Sequence, residues 1–231
     1  LVARYFGARQ EKNIHETIHT SMMNALIGGG ILVVLGLLLA RPLLEVMGTP
    51  EDVLDKAALY MRIIFVGCPA MMMYNFGSAV LRAVGDTKRP LYYLTVAGIL
   101  NIVLNLFFVI VFNMDVAGVA LATIISQCLS MALVINCLRK EEGALKFSFR
   151  KMKIHREKFK AILQIGLPAG LQGAIFSVSN VLVQTTVNSF GSIAMAGNTA
   201  ASNIEGFVYV AMNSMYQSAI SFTGQNMGAQ K

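Results

Sequence analysis

The chain has 231 residues, 55% of them hydrophobic and only 13% charged, and a mean hydropathy of +0.61. Soluble domains carry about 25% charged residues, so there is too little charge here to coat a water-facing surface. A soluble enzyme, a disulfide scaffold and a disordered tail are poor fits, and an integral membrane protein is expected. The net charge of +7 would mark a nucleic-acid binder only on a soluble basic face with stacking aromatics, so no nucleic-acid partner is expected.

A helix needs about 20 mostly apolar residues to cross about 30 Å of hydrocarbon. Six segments qualify. The first covers residues 18–40, contains Gly28, Gly29 and Gly30, and should end at Arg41-Pro42. The second covers 53–84, starts after Thr49-Pro50-Glu51-Asp52, and should kink at Pro69. The third, 90–112, carries Asn101 and Asn105 four apart on one face.

The fourth, 116–138, opens on Ala117, Gly118, Ala120 and Ala122, small residues that let helices approach closely in lipid. It continues with Thr123, Ser126 and Gln127. The fifth, 159–187, has Pro168 as a second expected kink and carries Gln172 and Asn180 among its polar residues. The sixth, 193–223, carries Asn198, Ser202, Glu205, Tyr209, Met212 and Tyr216 at steps of four and three, a single helical stripe.

With alternating crossings, 16 of the 19 Lys and Arg fall on one side of the membrane. That asymmetry places the segment before Ile18, the turn at Gly85, the stretch 139–158 and the end of the chain in the cytoplasm. The 139–158 stretch reads as a solvated basic linker that meets anionic headgroups.

Polar groups inside lipid are costly and usually serve a cavity or a neighbouring helix. Glu205 is the one carboxylate well inside an expected span, which makes it the first candidate for proton or ion coupling. An intramembrane enzyme would need paired acids or clustered His and Glu within the spans. His15, His19 and His155 instead fall in the flanking segments. Cys68, Cys128 and Cys137 lack metal or redox spacing and read as small apolar residues. No enzymatic activity and no cofactor are expected.

The chain resembles the multidrug and toxic compound extrusion (MATE) family. The likeness is carried by Val2-Ala3-Arg4-Tyr5-Phe6-Gly7-Ala8-Arg9, by Leu81-Arg82-Ala83-Val84-Gly85-Asp86-Thr87-Lys88-Arg89-Pro90, and by Asn101 to Asn105 followed by Gly118 to Thr123. Gly166-Leu167-Pro168 and Gly224-Gln225-Asn226-Met227-Gly228-Ala229 complete the order. The resemblance implies an all-α membrane protein, a fragment of a twelve-helix, two-lobed transporter running from the end of helix two to the end of helix eight. Residues 1–138 would then form most of the N-terminal lobe, 139–158 the interlobe linker, and 159–231 the start of the C-terminal lobe.

The resemblance also implies a Na⁺ site on helices five and six, at Asn101, Asn105 and Thr123. Asn105 stands where some members have aspartate, and the helix-one acid lies outside this chain. The glutamate that many members carry on helix seven would fall near Phe176, where no acid is present, so Glu205 is the candidate to take over coupling. Phe207, Tyr209, Met212 and Tyr216, with Asn198, Ser202, Gln172 and Asn180, are the expected substrate contacts.

The implied function is a secondary antiporter in the cell membrane, monomeric when full length, exporting amphipathic cationic compounds against inward Na⁺ or H⁺. A lipid-linked saccharide flippase of the same fold would need a cationic cavity, and the sixth span has no Lys or Arg. A non-transporting membrane scaffold would need no titratable residue within its spans.

Overall fold

The computed structural model describes residues 1–46, 51–190 and 192–230. Thr49 and Pro50, the expected start of the second span, lie outside the described residues. The described residues form eight α-helices and no strand: α1 (Val2–Gly7), α2 (Glu11–Val46), α3 (Glu51–Val66), α4 (Cys68–Ala83), α5 (Lys88–Leu106), α6 (Asp115–Lys140), α7 (Arg156–Ser189) and α8 (Ser192–Gly228). Four of these are long and apolar enough to cross a membrane, and a fifth span results if α3 and α4 count as one. α8 is long enough but falls short in hydropathy, because its Asn, Ser, Gln and Glu dilute the apolar residues.

Two boundaries differ from expectation. α2 continues through Pro42 to Val46 rather than ending there. Proline removes one helical N–H and need not stop a helix whose neighbours support it. The second span is two helices that meet at Gly67 with a 45° bend. Pro69, in the first turn of α4, has no N–H to offer the carbonyl of Phe65, so the break falls where the ladder is already missing a bond. After α5 the chain adds a π-helical turn, Phe107–Val111.

α2, α3, α4, α5 and α6 form one bundle, with α2 packed on α3 and α4 and α6 packed on α3, α4 and α5. Glycines set its closest approaches. A Cβ at Gly29 would lie 2.5 Å from the Cα of Pro69, so α2 meets the bend directly. The small residues Gly118, Ala120 and Ala122 are buried on α6, as close packing in lipid requires. The outward faces of α2 and α5 are lined with exposed Leu, Ile and Val, the surface a bilayer would cover.

The apolar core lies at the basic end, where Ile18, Met22, Met73, Leu81, Val134, Leu138 and Phe147 meet. Phe147 belongs to the connection between α6 and α7, which is therefore not a freely solvated linker. Its ring is 1% exposed, and its backbone N–H donates to the carbonyl of Leu138 at 2.9 Å. The connection is pinned to α2 at two further points. The N–H of Ser148 donates to Nε2 of His19 at 3.1 Å, and the N–H of His155 donates to Oγ1 of Thr20 at 3.2 Å. In the first turn of α7, the buried Lys158 ammonium donates to Oδ1 of Asn13 at 2.6 Å and lies 4.6 Å over the Tyr5 ring.

The turn at Gly85 completes this end. Gly85 has φ +94, a conformation that glycine adopts without strain. It closes α4 with N–H bonds from Gly85 to Arg82 O and from Asp86 to Leu81 O, both 3.0 Å, a Schellman arrangement. Asp86 then pairs with Arg89, which also pairs with Glu141 beyond α6. At the opposite end the few cations are held by acids: Arg41 by Glu45 and Asp55, and Lys56 by Asp115 at 2.7 Å.

α7 and α8 stand apart from the bundle over most of their length. From residue 163 to 186 every described side chain of α7 is exposed, and Pro168 sits within the unbroken helix. α8 touches the first bundle chiefly at its last turns, against α1. Gly224 lies over Ala3 there, and Gly228 lies over Arg4 and Ala8. The Gln225 amide donates to the carbonyl of Ala83 at 2.7 Å.

Candidate functional site

Asn101, Asn105 and Thr123 come together between α5 and α6. Asn105 Nδ2 donates to Asn101 Oδ1 at 3.0 Å, and Asn101 Nδ2 lies 3.5 Å from Thr123 Oγ1. The Thr123 hydroxyl donates to its own helix at Val119 O, 2.9 Å. A cavity of about 270 Å³ opens beside Asn101 and Thr123 and is lined also by Ser126, Gln127 and Ser130. Two buried oxygens have no hydrogen-bond partner: Asn105 Oδ1 and Gln127 Oε1.

An unsatisfied buried acceptor costs roughly 1–3 kcal/mol, so two of them here are unusual: Gln127 lines the cavity, and Asn105 is bonded to Asn101, which lines it. Carbonyl and hydroxyl oxygens are what a hard cation such as Na⁺ takes as ligands. The set fits Na⁺ in ligand type but brings no negative charge of its own. Gln127, one turn beyond Thr123 on α6, is not among the expected site residues. Its place at i+4 from Thr123 is the signal that marks it.

The second expected group behaves differently. Glu205, Tyr209, Met212 and Tyr216 are all exposed, as are Ser202, Phe207, Gln172 and Asn180. Asn198 donates to Gln184 Oε1 at 3.4 Å, which ties α8 to α7. None of these residues lines the cavity beside Asn101 and Thr123.

The face of α8 that turns toward the bundle is another one. A cavity of about 530 Å³ lies between the α4–α5 turn and α8, lined by Arg82 and Thr87 on one side and by Asn213, Ser214, Gln217 and Ser221 on the other. At about 100° per residue, this face sits about 130° round the helix from the Glu205 stripe. α8 thus carries two polar faces, and its seam with α1 turns the Asn213 face inward. The cleft also holds a cation, Arg82, supplied by α4.

The MatE family model matches residues 1–107. Probable multidrug resistance protein YoeA of Bacillus subtilis is 29% identical over 238 residues, covering 100% of this chain and 51% of its own length. Probable multidrug resistance protein YpnP of the same organism is 34% identical over 193 residues, covering 84% of this chain and 43% of its own length. A MATE crystal structure in the bent conformation aligns with TM-score 0.90 at 26% identity, over 99% of this chain and 51% of that one.

The chain matches the MATE family.

A MOP superfamily transporter from Pyrococcus furiosus shares the fold equally well, with TM-score 0.89 and 26% identity over 99% of this chain and 51% of that one. The chain spans about half the length of the curated relatives it matches. It is an all-α, multi-pass membrane protein corresponding to half of the MATE fold.

Proposed function

We propose that the protein is a secondary antiporter of the cell membrane that exports amphipathic organic compounds in exchange for inward Na⁺ or H⁺. The observation that carries this reading is the pair of unsatisfied oxygens on Asn105 and Gln127: Gln127 lines the α5–α6 cavity, Asn105 is bonded to Asn101 of its lining, and that cavity shares no residue with the cleft against α8. An ion site in one place and a ligand cleft in another is what coupling needs, because each must bias the same conformational equilibrium. The relatives named for multidrug resistance support export as the direction.

In this reading Na⁺ is the cargo of the Asn101–Asn105–Thr123 site. Glu205 is the group on the second lobe able to bind a proton or to attract a cationic substrate. Tyr209 and Tyr216, on the same stripe, offer ring faces to a flat cation. The bend at Gly67 and Pro69 gives the first lobe a place to change angle, as broken helices do in transporters.

Sidedness follows from charge. The basic segments are joined at one end by the Ser148–His19, Lys158–Asn13 and Gln225–Ala83 bonds. That end faces the cytoplasm under the positive-inside rule, and the protein acts as a monomer. Reconstituting the full-length protein in vesicles, with Na⁺ and pH gradients imposed separately, tests the proposal. Efflux of an organic cation driven by one gradient is expected; none under either gradient overturns it.

A further inference from the structure

We infer that the cleft between α4 and α8 contains a subsite for an anionic oxyacid group, such as a carboxylate or sulfonate on an amphipathic ligand, with Arg82 as its anchor. The cavity is lined by donors. Arg82 brings a guanidinium, Asn213 and Gln217 bring side-chain amides one turn apart on α8, and Thr87 brings a hydroxyl from the facing turn. No acid lines the cavity.

The neighbouring charges are already engaged. Asp86 pairs with Arg89, and Arg89 also pairs with Glu141. Among the described residues, no hydrogen bond or ion pair occupies the side chains of Arg82, Thr87, Asn213 or Gln217. Ser214 and Ser218 spend their protons on their own helix, donating to Val210 O and Ser214 O at 2.8 and 2.9 Å. The free donors of the cleft are therefore concentrated around one fixed positive charge.

Arginine's planar fork matches a carboxylate or sulfonate in two parallel bonds, and flanking amides can take up the remaining lone pairs. The site spans both lobes, since Arg82 and Thr87 come from one and α8 from the other. An anion held there would bridge them. The inference rests on the export reading only in taking the cleft as the place where ligand sits.

The test uses full-length protein in phosphatidylcholine nanodiscs and two dyes with a shared xanthene scaffold, anionic fluorescein and cationic rhodamine 123. Equilibrium binding is read by fluorescence polarisation. Arg82→Gln should weaken fluorescein about tenfold, the scale of one lost charge-assisted bond, and leave rhodamine 123 within about twofold. Arg82→Lys, which keeps the charge without the fork, should fall between, and both variants should melt as the parent does.

Unchanged fluorescein affinity in Arg82→Gln, or an equal loss for both dyes, overturns the inference. Adding phosphatidylglycerol separates the two sources of an anionic group. Competition with fluorescein that disappears in Arg82→Gln supports the subsite and assigns it to a lipid headgroup. No competition supports the subsite as one for a free ligand. If neither dye is exported under any gradient while Arg82-dependent binding persists, the export reading fails and the subsite stands.

Discussion

Nε2 of His19 accepts the backbone N–H of Ser148 at 3.1 Å, across 129 positions of sequence. On the other side of the ring, Nδ1 lies 2.8 Å from the carbonyl of His15, where it donates. The neutral imidazole thus uses both nitrogens, one as donor and one as acceptor, to clamp the α6–α7 connection onto α2. His19→Ala should release it. A lost bond of about 1 kcal/mol predicts roughly fivefold faster tryptic cleavage at Lys151 and Lys153, measured against cleavage elsewhere in the chain. Phe147→Ala should act more strongly, since emptying a buried aromatic site costs about 3–5 kcal/mol.

Gly29 and Gly30 form a matched pair for testing the α2–α4 approach. A side chain at Gly29 would run into Pro69, whereas a Cβ at Gly30 meets nothing within 4 Å. Gly29→Leu should destabilise by about 1–3 kcal/mol, the usual scale of overpacking. Gly30→Leu should leave the thermal midpoint of the purified protein unchanged. Equal midpoints for the two variants would show that α2 does not seat against the bend.

The Asn105 oxygen has no partner, so charge placed there should act on the ion directly. Asn105→Asp is expected to tighten Na⁺ dependence of transport by about tenfold, equivalent to about 1.4 kcal/mol. Asn105→Leu should remove that dependence. The half-saturating Na⁺ concentration for efflux is the measurement, and an unchanged value in both variants would exclude this site from coupling.

Glu205→Gln separates the two proposed coupling sites. If Glu205 carries the proton, the variant loses efflux driven by a pH gradient and keeps the response to Na⁺. Coupled transport that is unchanged under both gradients would remove Glu205 from the mechanism.

The helix order was legible in the sequence because long apolar runs carry a strong and uniform signal. The breaking role of Pro69 was legible for the same reason, since a missing N–H acts locally. Pro42 shows the limit: whether a helix survives proline depends on packing that the local sequence does not describe. The docking of Phe147 and the Ser148–His19 bond depend on partners more than a hundred positions apart, and backbone donors leave no compositional trace.

The α5–α6 site was legible apart from Gln127, because Asn101 and Asn105 share a face by simple periodicity. α8 was not. Its Glu205 stripe and its Asn213–Gln217–Ser221 face have similar helical spacing, and only rotation about the helix axis decides which one meets the first lobe. That rotation is fixed by contacts at Gly224, Gln225 and Gly228, with Gln225 one turn beyond Ser221 on the same face.

Those contacts have a further consequence. Where α1 meets α8, main chain rests on main chain at Gly7 and Gly228, and Gly224 rests on the Cβ of Ala3. No long side chain stands between them to swing aside and leave a partial gap. Separating the helices at these points therefore means moving backbone rather than turning a side chain to another rotamer.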